Sequence, residues 1–452
     1  MTMRKPHVVV IGGGFGGLAA ARGLAKAPVT VTLIDRRNHH LFQPLLYQVA
    51  TAALNPSDIA YPIRAALAKQ RNARVLLATA TSIDVANHRV ILDGGELHYD
   101  YVILATGATH SYFGHDWAPV APGLKSVEDA LEIRRRVFLA YEAAERESDP
   151  EAQREWLTFA VVGGGPTGVE LSGALGEIGL ETLAHDFRSI DSTQVRVVLF
   201  EGKDRVLTAY PPKLSAAAKR SLEKRNVEVR VDTRVTAIDD RGVTVQHGDA
   251  TERIGARTVL WAAGVQASPL AQSLPVTRDR TGRVDVLPDL TIPDHPEVFV
   301  IGDLAKMMVS PDEEVPGVAQ GALQGGRYVA KLIAAEARGD RPARAPFHYH
   351  DKGNMATIGR MSAVVATKTF AKAGLTAWLL WWVVHIFYIV GFRNRVLVMF
   401  HWAWSWLTFK RGARLITGEV THLPPVTTIG PDGQLLLPPP ATSVSIPTEE
   451  RA

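Results

Sequence analysis

Two glycine clusters carry the clearest chemistry in the chain. Gly12-Gly13-Gly14-Phe15-Gly16-Gly17 lies between the apolar run Val8–Ile11 and the alanine-rich stretch Leu18–Ala27, a predicted buried strand and a predicted helix. In that setting Gly12 permits a tight turn, Gly14 lets backbone approach a pyrophosphate, and Gly17 lets helix and strand pack closely. The unpaired N–H groups at the helix start then face the phosphates. Val29–Ile34 reads as the next strand and ends at Asp35, 18 residues beyond Gly17. A carboxylate there would accept hydrogen bonds from an adenosine ribose, with Phe15, Gly16 and Arg36 beside the same ligand.

The grammar recurs. Gly163-Gly164-Gly165-Pro166-Thr167-Gly168 follows Phe159–Val162, and Val195–Phe200 ends at Glu201, 33 residues beyond Gly168. The usual spacing is about 20, so a longer helix or an extra loop is expected in this crossover. Glu201 would pair with ribose hydroxyls and repel a 2′-phosphate, which predicts NADH over NADPH; Lys203 and Arg205 nearby are the competing signal. Two dinucleotide sites in one chain imply that electrons pass between two dinucleotides. A nicotinamide delivers hydride and a flavin, here FAD, can accept it.

The elements that must hold these turns are predicted to be α/β. The two units lie 151 residues apart, too far for a solenoid repeat, and read as two Rossmann-like domains with the second inserted in the first. Tyr101–Thr109 and Thr258–Val265 are strand-like segments ending in glycine turns, and Phe299–Ala305 is a buried strand ending at Gly-Asp. A helix is expected over Val318–Arg338 and a β-rich cap over Phe347–Phe370. The expected division is an FAD domain over 1–120 and 286–345 and an NADH domain over 121–285. A cap with C-terminal amphipathic, membrane-binding helices is expected over 346–416, and a Pro-rich tail over 417–452.

Length and composition agree with that division. The chain has 452 residues, 46 % hydrophobic and 21 % charged, enough for two or three domains and too apolar for a disordered chain. No cysteine is present, which excludes disulfide, thiolate-metal and redox-thiol chemistry. His39-His40 and His348-x-His350 lack convergent carboxylates, so no metal site is expected. Met1–Lys5 is basic, but the following apolar run breaks at Gly12, so it does not read as a secretory signal.

Charge is concentrated at one place. From Lys352 to Gly418 there are nine cations, no acids and six of the nine tryptophans, leaving 41 basic against 46 acidic residues elsewhere. Basic residues interleaved with Trp and long aliphatic runs suit an anionic bilayer surface better than nucleic acid, and no nucleic-acid partner is expected. The run Leu375–Phe392 would extend about 27 Å as a helix, short of a bilayer core of about 30 Å. A pair of helices lying on the membrane, with residues 375–414 as the contact, is favoured over a single span.

With GGGFGG at Gly12–Gly17, LATG at Leu104–Gly107, GGGPTGVE at Gly163–Glu170, AAGV at Ala262–Val265 and IGD at Ile301–Asp303, in that order, the chain resembles the two-dinucleotide flavoprotein reductases. Within that group it is similar to the type II NADH:quinone oxidoreductases, single-subunit respiratory dehydrogenases that pump no protons. The closest local matches are His40–Gln48 (HLFQPLLYQ), a loop beside the flavin, and Gly317–Gln324 (GVAQGALQ), which resembles the family's AQxAxQ quinone-site helix. The resemblance implies that Asp303 binds the ribityl and pyrophosphate region, that Thr106 and Gly107 pass the adenine side, and that Ala319 and Gln320 lie beside the isoalloxazine. Ala263 and Gly264, in the AAGV segment, are further candidate cofactor-binding residues. It further implies that Gln320 and Gln324 line a quinone tunnel and that Glu170 stands near the nicotinamide–flavin contact. Asp35 replaces the more common Glu, and Tyr47 falls where related loops vary.

The expected activity is FAD-dependent oxidation of NADH with two-electron reduction of a membrane quinone, at the cytoplasmic face of the cell inner membrane. Homodimerisation is left open. Glu170 also has a bland reading, a helix-surface carboxylate, and the Gln320/Gln324 pair another, a polar stripe on a surface helix. Two other functions compete: a flavin reductase with a soluble acceptor, and a redox-sensing flavoprotein of the apoptosis-inducing-factor type that holds NADH without turning it over.

Overall fold

The computed structural model describes residues 4–310, 313–340, 343–408, 411–418 and 423–424. The expected tail over 417–452 therefore lies outside the described residues, except for 417–418 and 423–424, and so does Lys410.

The first unit opens with β1 (His7–Ile11), α1 (Phe15–Gly23) and β2 (Thr30–Asp35), and adds β3 (Ala73–Leu77) and β4 (Tyr101–Leu104). The helix begins three residues earlier than Leu18, because Phe15-Gly16-Gly17 already take helical backbone after Gly14 at the cap. Helix α2 (Val127–Arg146) leads into the second unit: β5 (Thr158–Val162), α3 (Pro166–Glu177), β6 (Arg196–Phe200), β7 (Val227–Arg230) and β8 (Thr258–Trp261). In the long crossover after Gly168, α3 is continued by a π-turn at Ile178–Thr182 and followed by a loop with a 3-10 turn at Ser192–Gln194. The chain returns to the first unit through β9 (Thr291–Ile292), β10 (His295–Val300) and α4 (Ala319–Ala337). A three-stranded antiparallel cap follows, β11 (Asn354–Gly359), β12 (Ser362–Ala366) and β13 (Ala371–Gly374), then helices α5 (Leu375–Tyr388) and α6 (Phe392–Thr408).

The first sheet has the order β9-β10-β4-β1-β2-β3, parallel except for β9, and the second the parallel order β7-β6-β5-β8. Both are doubly wound. Each reverses direction beside its first strand, between β1 and β4 and between β5 and β8, and each glycine cluster sits at the carboxyl end of that reversal, where this architecture binds ligands.

One boundary differs from expectation. The second unit ends near residue 264, not 285. Val265–Ala267 pairs antiparallel with Ala108–His110, so the two connections run side by side. Ala267, Leu270, Ala271, Leu274 and Val284 are buried in the first unit's core, and that apolar packing draws the segment back.

Helix α4 is thinned by Gly321, Gly325 and Gly326, residues that let a planar ligand or another backbone come close. At Gly326 it is backbone: a Cβ there would lie 2.2 Å from the Gly16 carbonyl of α1. Gly173 of α3 meets the cap in the same way, since a Cβ would fall 1.8 Å from the Ile358 carbonyl oxygen. Gly173→Ala must separate α3 from β11 and is expected to cost about 2–3 kcal/mol. A fall in the urea midpoint with an unchanged slope checks it; an unshifted midpoint contradicts the contact.

The C-terminal helices are shorter than a membrane span. Helix α5 has 14 residues, about 21 Å long. Ile389 leaves helical backbone, Gly391 turns the chain at φ +94°, and α6 starts at Phe392. Among the described residues no helix is long and apolar enough to cross a membrane. Asn394, in the first turn of α6, which a span would place on the far side, is buried and donates to the carbonyls of Ser57 and Ala60. The tryptophans divide: Trp381 is buried and Trp402 donates to Gln48 Oε1 at 2.6 Å, while Trp404 and Trp406 are exposed.

Candidate functional site

The two switch points are built alike. Gly12 (φ +102°) and Gly163 (φ +108°) each receive the chain from a strand, and a Cβ on either would meet the loop after the neighbouring strand, Ala105 or Ala262. Gly17 and Gly168 lie so close to the carbonyls of Gly12 and Gly163 that a Cβ would come within 1.8 Å of each. The strand-ending acids close both turns. Asp35 accepts from the N–H of Gly13 at 2.6 Å and of Arg37 at 2.7 Å, and Glu201 from the N–H of Gly164 at 2.7 Å and of Lys203 at 2.9 Å.

A cleft of about 1120 Å³ opens above the first turn. It exceeds the roughly 300–1,000 Å³ of common small-molecule sites, leaving room for a dinucleotide and part of a second ligand. Gly12, Gly14, Phe15, Gly16, Asp35, Arg36, Thr106, Gly107, Asp303 and Ala319 line it. So do Pro166, Thr167 and Glu170 from the first turns of α3, which brings the second unit's helix to the first unit's cleft. Thr106 Oγ1 and His39 Nε2, of two cleft-lining residues, are buried with no hydrogen-bond partner, as expected of groups that serve a bound nucleotide. His40 Nδ1 lies 2.9 Å from the Gly13 carbonyl, bracing the glycine turn from behind.

Glu170 is not a surface carboxylate. The cap covers it, and burial pushes its carboxyl up to about 8 against the opposing Thr357 N–H, 3.3 Å from Oε1. Tyr47 lines the cleft as well, its hydroxyl accepting from Gln48 Nε2 at 2.7 Å; burial, with the Glu170 charge adding, holds its phenol well above the ordinary value.

The glutamine pair separates. Gln320 lies beside Tyr388, where burial acts to raise the phenol but Lys352 and Gln320 outweigh it and hold it below its usual value. Gln324 is committed elsewhere: Nε2 donates to the His350 carbonyl at 3.0 Å and Oε1 accepts the His350 N–H at 2.9 Å. Neither amide lines the cleft, and the irregular chain before the cap takes up Gln324 at His350. Gly17, Gly163, Gly165, Gly168, Glu201, Ala263 and Gly264 also fall outside the lining; apart from Gly17 they form the second switch point, with the Phe113 ring against Gly264.

Sequence reasoning passed over His385, which lines the cleft from α5, and Met355 from the cap. A polar residue four positions after Trp381 on an apolar helix was the available signal for His385. Met355 gave none.

Glu201 leads to a measurable preference. Its two oxygens are held by backbone and face the second glycine turn, while Arg205 is engaged by Asp204 and the Thr208 carbonyl. NADH should exceed NADPH in kcat/KM by about tenfold or more, and Glu201→Gln should narrow that ratio by about tenfold. Equal values in the unaltered protein would remove Glu201 from the role.

Two doubly wound units that share one cleft define a pyridine-nucleotide flavoprotein reductase. The pyridine nucleotide-disulphide oxidoreductase family model matches residues 6–326, and that of the NDH2 C-terminal domain residues 351–411. The type II NADH:quinone oxidoreductase Ndh of Mycobacterium tuberculosis is 47 % identical over 92 % of this chain and 91 % of its own. An internal alternative NAD(P)H-ubiquinone oxidoreductase of Arabidopsis thaliana mitochondria is 30 % identical over 88 % and 83 %. NDH2 of Plasmodium falciparum, solved in complex with NADH, has the same fold, with a TM-score of 0.82 over 89 % of this chain and 98 % of that one at 20 % identity. The chain belongs to the pyridine nucleotide-disulphide oxidoreductases and, among them, to the type II NADH:quinone oxidoreductases.

Proposed function

We propose that the protein oxidises NADH and reduces a membrane quinone to quinol by two electrons, with FAD in the cleft between them and no proton pumping. The observation that carries this reading is convergence. The N-terminus of α1, the first turns of α3 and one residue of the apolar C-terminal helices all reach the same cleft. When bound, FAD supplies the hydride-accepting and electron-donating chemistry.

The chain's own residues supply the rest. The N–H groups at the start of α1 are aimed at a pyrophosphate, Asp35 at a ribose, and Thr106 Oγ1 and Asp303 at the remainder of the nucleotide. Pro166, Thr167 and Glu170 stand where NADH would meet the flavin, with Ala319 on another wall. Gln320, beside Tyr388 and outside the cleft lining, suits an approach to it better than its floor. The absence of cysteine leaves the acceptor to take electrons from the flavin without a protein thiol, unlike the disulphide chemistry in the family's name. The apolar outer faces of α5 and α6 favour a peripheral seat on the membrane, at the cytoplasmic face of the cell inner membrane, where NADH is available.

Stopped-flow spectroscopy decides the reading. NADH should bleach the flavin, and a ubiquinone or menaquinone analogue should restore its colour. A reduced NAD complex that persists in the presence of quinone would favour the redox-sensing alternative instead.

A further inference from the structure

We propose that His385 recognises the reduced acceptor: its Nε2 accepts a hydrogen bond from a hydroxyl of the quinol at the wall that α5 contributes to the cleft. The inference rests on the reading of the protein as a quinone reductase.

Helix α5 has two unlike sides. Leu379, Val383 and Phe387 are exposed, whereas Ala377 and Trp381 are buried. His385, half-buried, extends that row at the same spacing of four and reaches the cleft. Among the described residues that line the cleft, it is the sole contribution of the two C-terminal helices. A lipid-borne headgroup that follows α5 inward meets this side chain as the helix's first polar group in the cleft.

The ring is fixed in place and in tautomer. It stacks on Trp381 with centroids 4.3 Å apart and meets the Phe42 ring edge-on at 6.1 Å. Nδ1 lies 2.7 Å from the Trp381 carbonyl oxygen. A carbonyl can only accept, so Nδ1 carries the hydrogen and Nε2 is left with a lone pair. Burial keeps the imidazole neutral, lowering its pKa to about 4 against the Trp381 contact. A neutral acceptor nitrogen repels a quinone carbonyl, which is itself only an acceptor, and attracts a quinol hydroxyl, which can donate. The same ligand oxygen thus changes from disfavoured to favoured at this wall once it has gained its proton.

The test uses the full-length, FAD-loaded protein with ubiquinone-1 and ubiquinol-1. In His385→Phe the product-inhibition constant for ubiquinol-1 should rise about tenfold while the KM for ubiquinone-1 moves by less than about threefold. His385→Gln, whose amide oxygen can accept, should stay near the unaltered protein. Quenching of tryptophan fluorescence by ubiquinol-1, without NADH, should give the same order of dissociation constants. An unchanged quinol constant in His385→Phe, or equal changes for quinone and quinol, would overturn the inference. Loss of bound FAD would overturn it too, by placing the ring against the nucleotide. If the unaltered protein reduces no quinone, the functional reading fails, and the fluorescence titration still tests His385 by itself.

Discussion

Truncation after Gly374 should move the protein from the membrane pellet to the supernatant and abolish its turnover with long-chain quinones. The outer faces of α5 and α6 carry Phe392, Leu407, Phe387, Phe400 and Val383, exposed by 82, 67, 66, 62 and 61 %. Withdrawing each from water contributes on the order of 1–2 kcal/mol, so these five alone supply about 5–10 kcal/mol. A single acyl chain of that order holds a protein only marginally; the further exposed Leu375, Leu379, Val396, Met399, Trp404 and Trp406 carry the face beyond that limit.

Charge contributes less than the nine cations suggest. Arg411 is buried against Glu177 at 3.2 Å, Arg414 pairs with Asp186, Lys352 donates to the Tyr388 hydroxyl, and Arg395 donates to the Ile389 carbonyl. Lys368, Lys372 and Arg393 are exposed, each worth about 1 kcal/mol at an anionic surface and screened by salt. Molar salt should therefore leave most of the protein bound, and detergent should release it. Truncation also removes Trp381, Asn394 and Arg411, which the body of the protein uses, so the sharper variant is Val383→Asp with Phe387→Asp and Leu407→Asp. It should fold, bind FAD and stay in the supernatant. Continued pelleting with liposomes would refute the surface assignment. A soluble particle of twice the mass in the unaltered protein would give that face to a second copy of the chain.

What the sequence disclosed and what it withheld divide along the range of the contacts. The turns at Gly12 and Gly163 are legible because a close backbone approach within a few residues admits only glycine, and Asp35 and Glu201 because each closes its own turn. The order of elements follows from apolar runs that the local pattern already marks. The return of the chain at residue 265 depends on Leu270 and Leu274 packing under strands far away in sequence, which no local periodicity expresses. Gln324 looked like a ligand-facing partner of Gln320 until the backbone at His350, 26 residues on, took both ends of its amide. The burial of Glu170 comes from Thr357 and the cap, 187 residues away. Motif spacing named the residue, and only the fold supplied the environment that gives it chemistry.

That environment makes Glu170→Gln the substitution with the largest expected effect on chemistry. In the folded protein the carboxyl titrates at about 8 in place of the ordinary 4.5, so near neutral pH it holds its proton. Oε1 faces the Thr357 N–H, which leaves Oε2 as the atom from which a proton can leave toward the cleft. Forming quinol consumes two protons, and on the proposed reading a protonated acid in the same cleft is worth about 10²-fold or more. Turnover with quinone should fall as pH rises through about 8. Glu170→Gln should lower kcat about 100-fold at pH 7, with full FAD content, and should abolish that alkaline limb. Stability separates this from a merely structural role. Because the folded pKa lies above the unfolded one, the folded state retains a proton that the unfolded state gives up between about 4.5 and 8, and stability is lost as pH rises across that window. The glutamine variant has no such loss, so at pH 9 it should unfold at a higher denaturant concentration than the unaltered protein while turning over far more slowly. A variant with unchanged kcat and an intact alkaline limb would leave Glu170 as a buried acid with no part in the reaction.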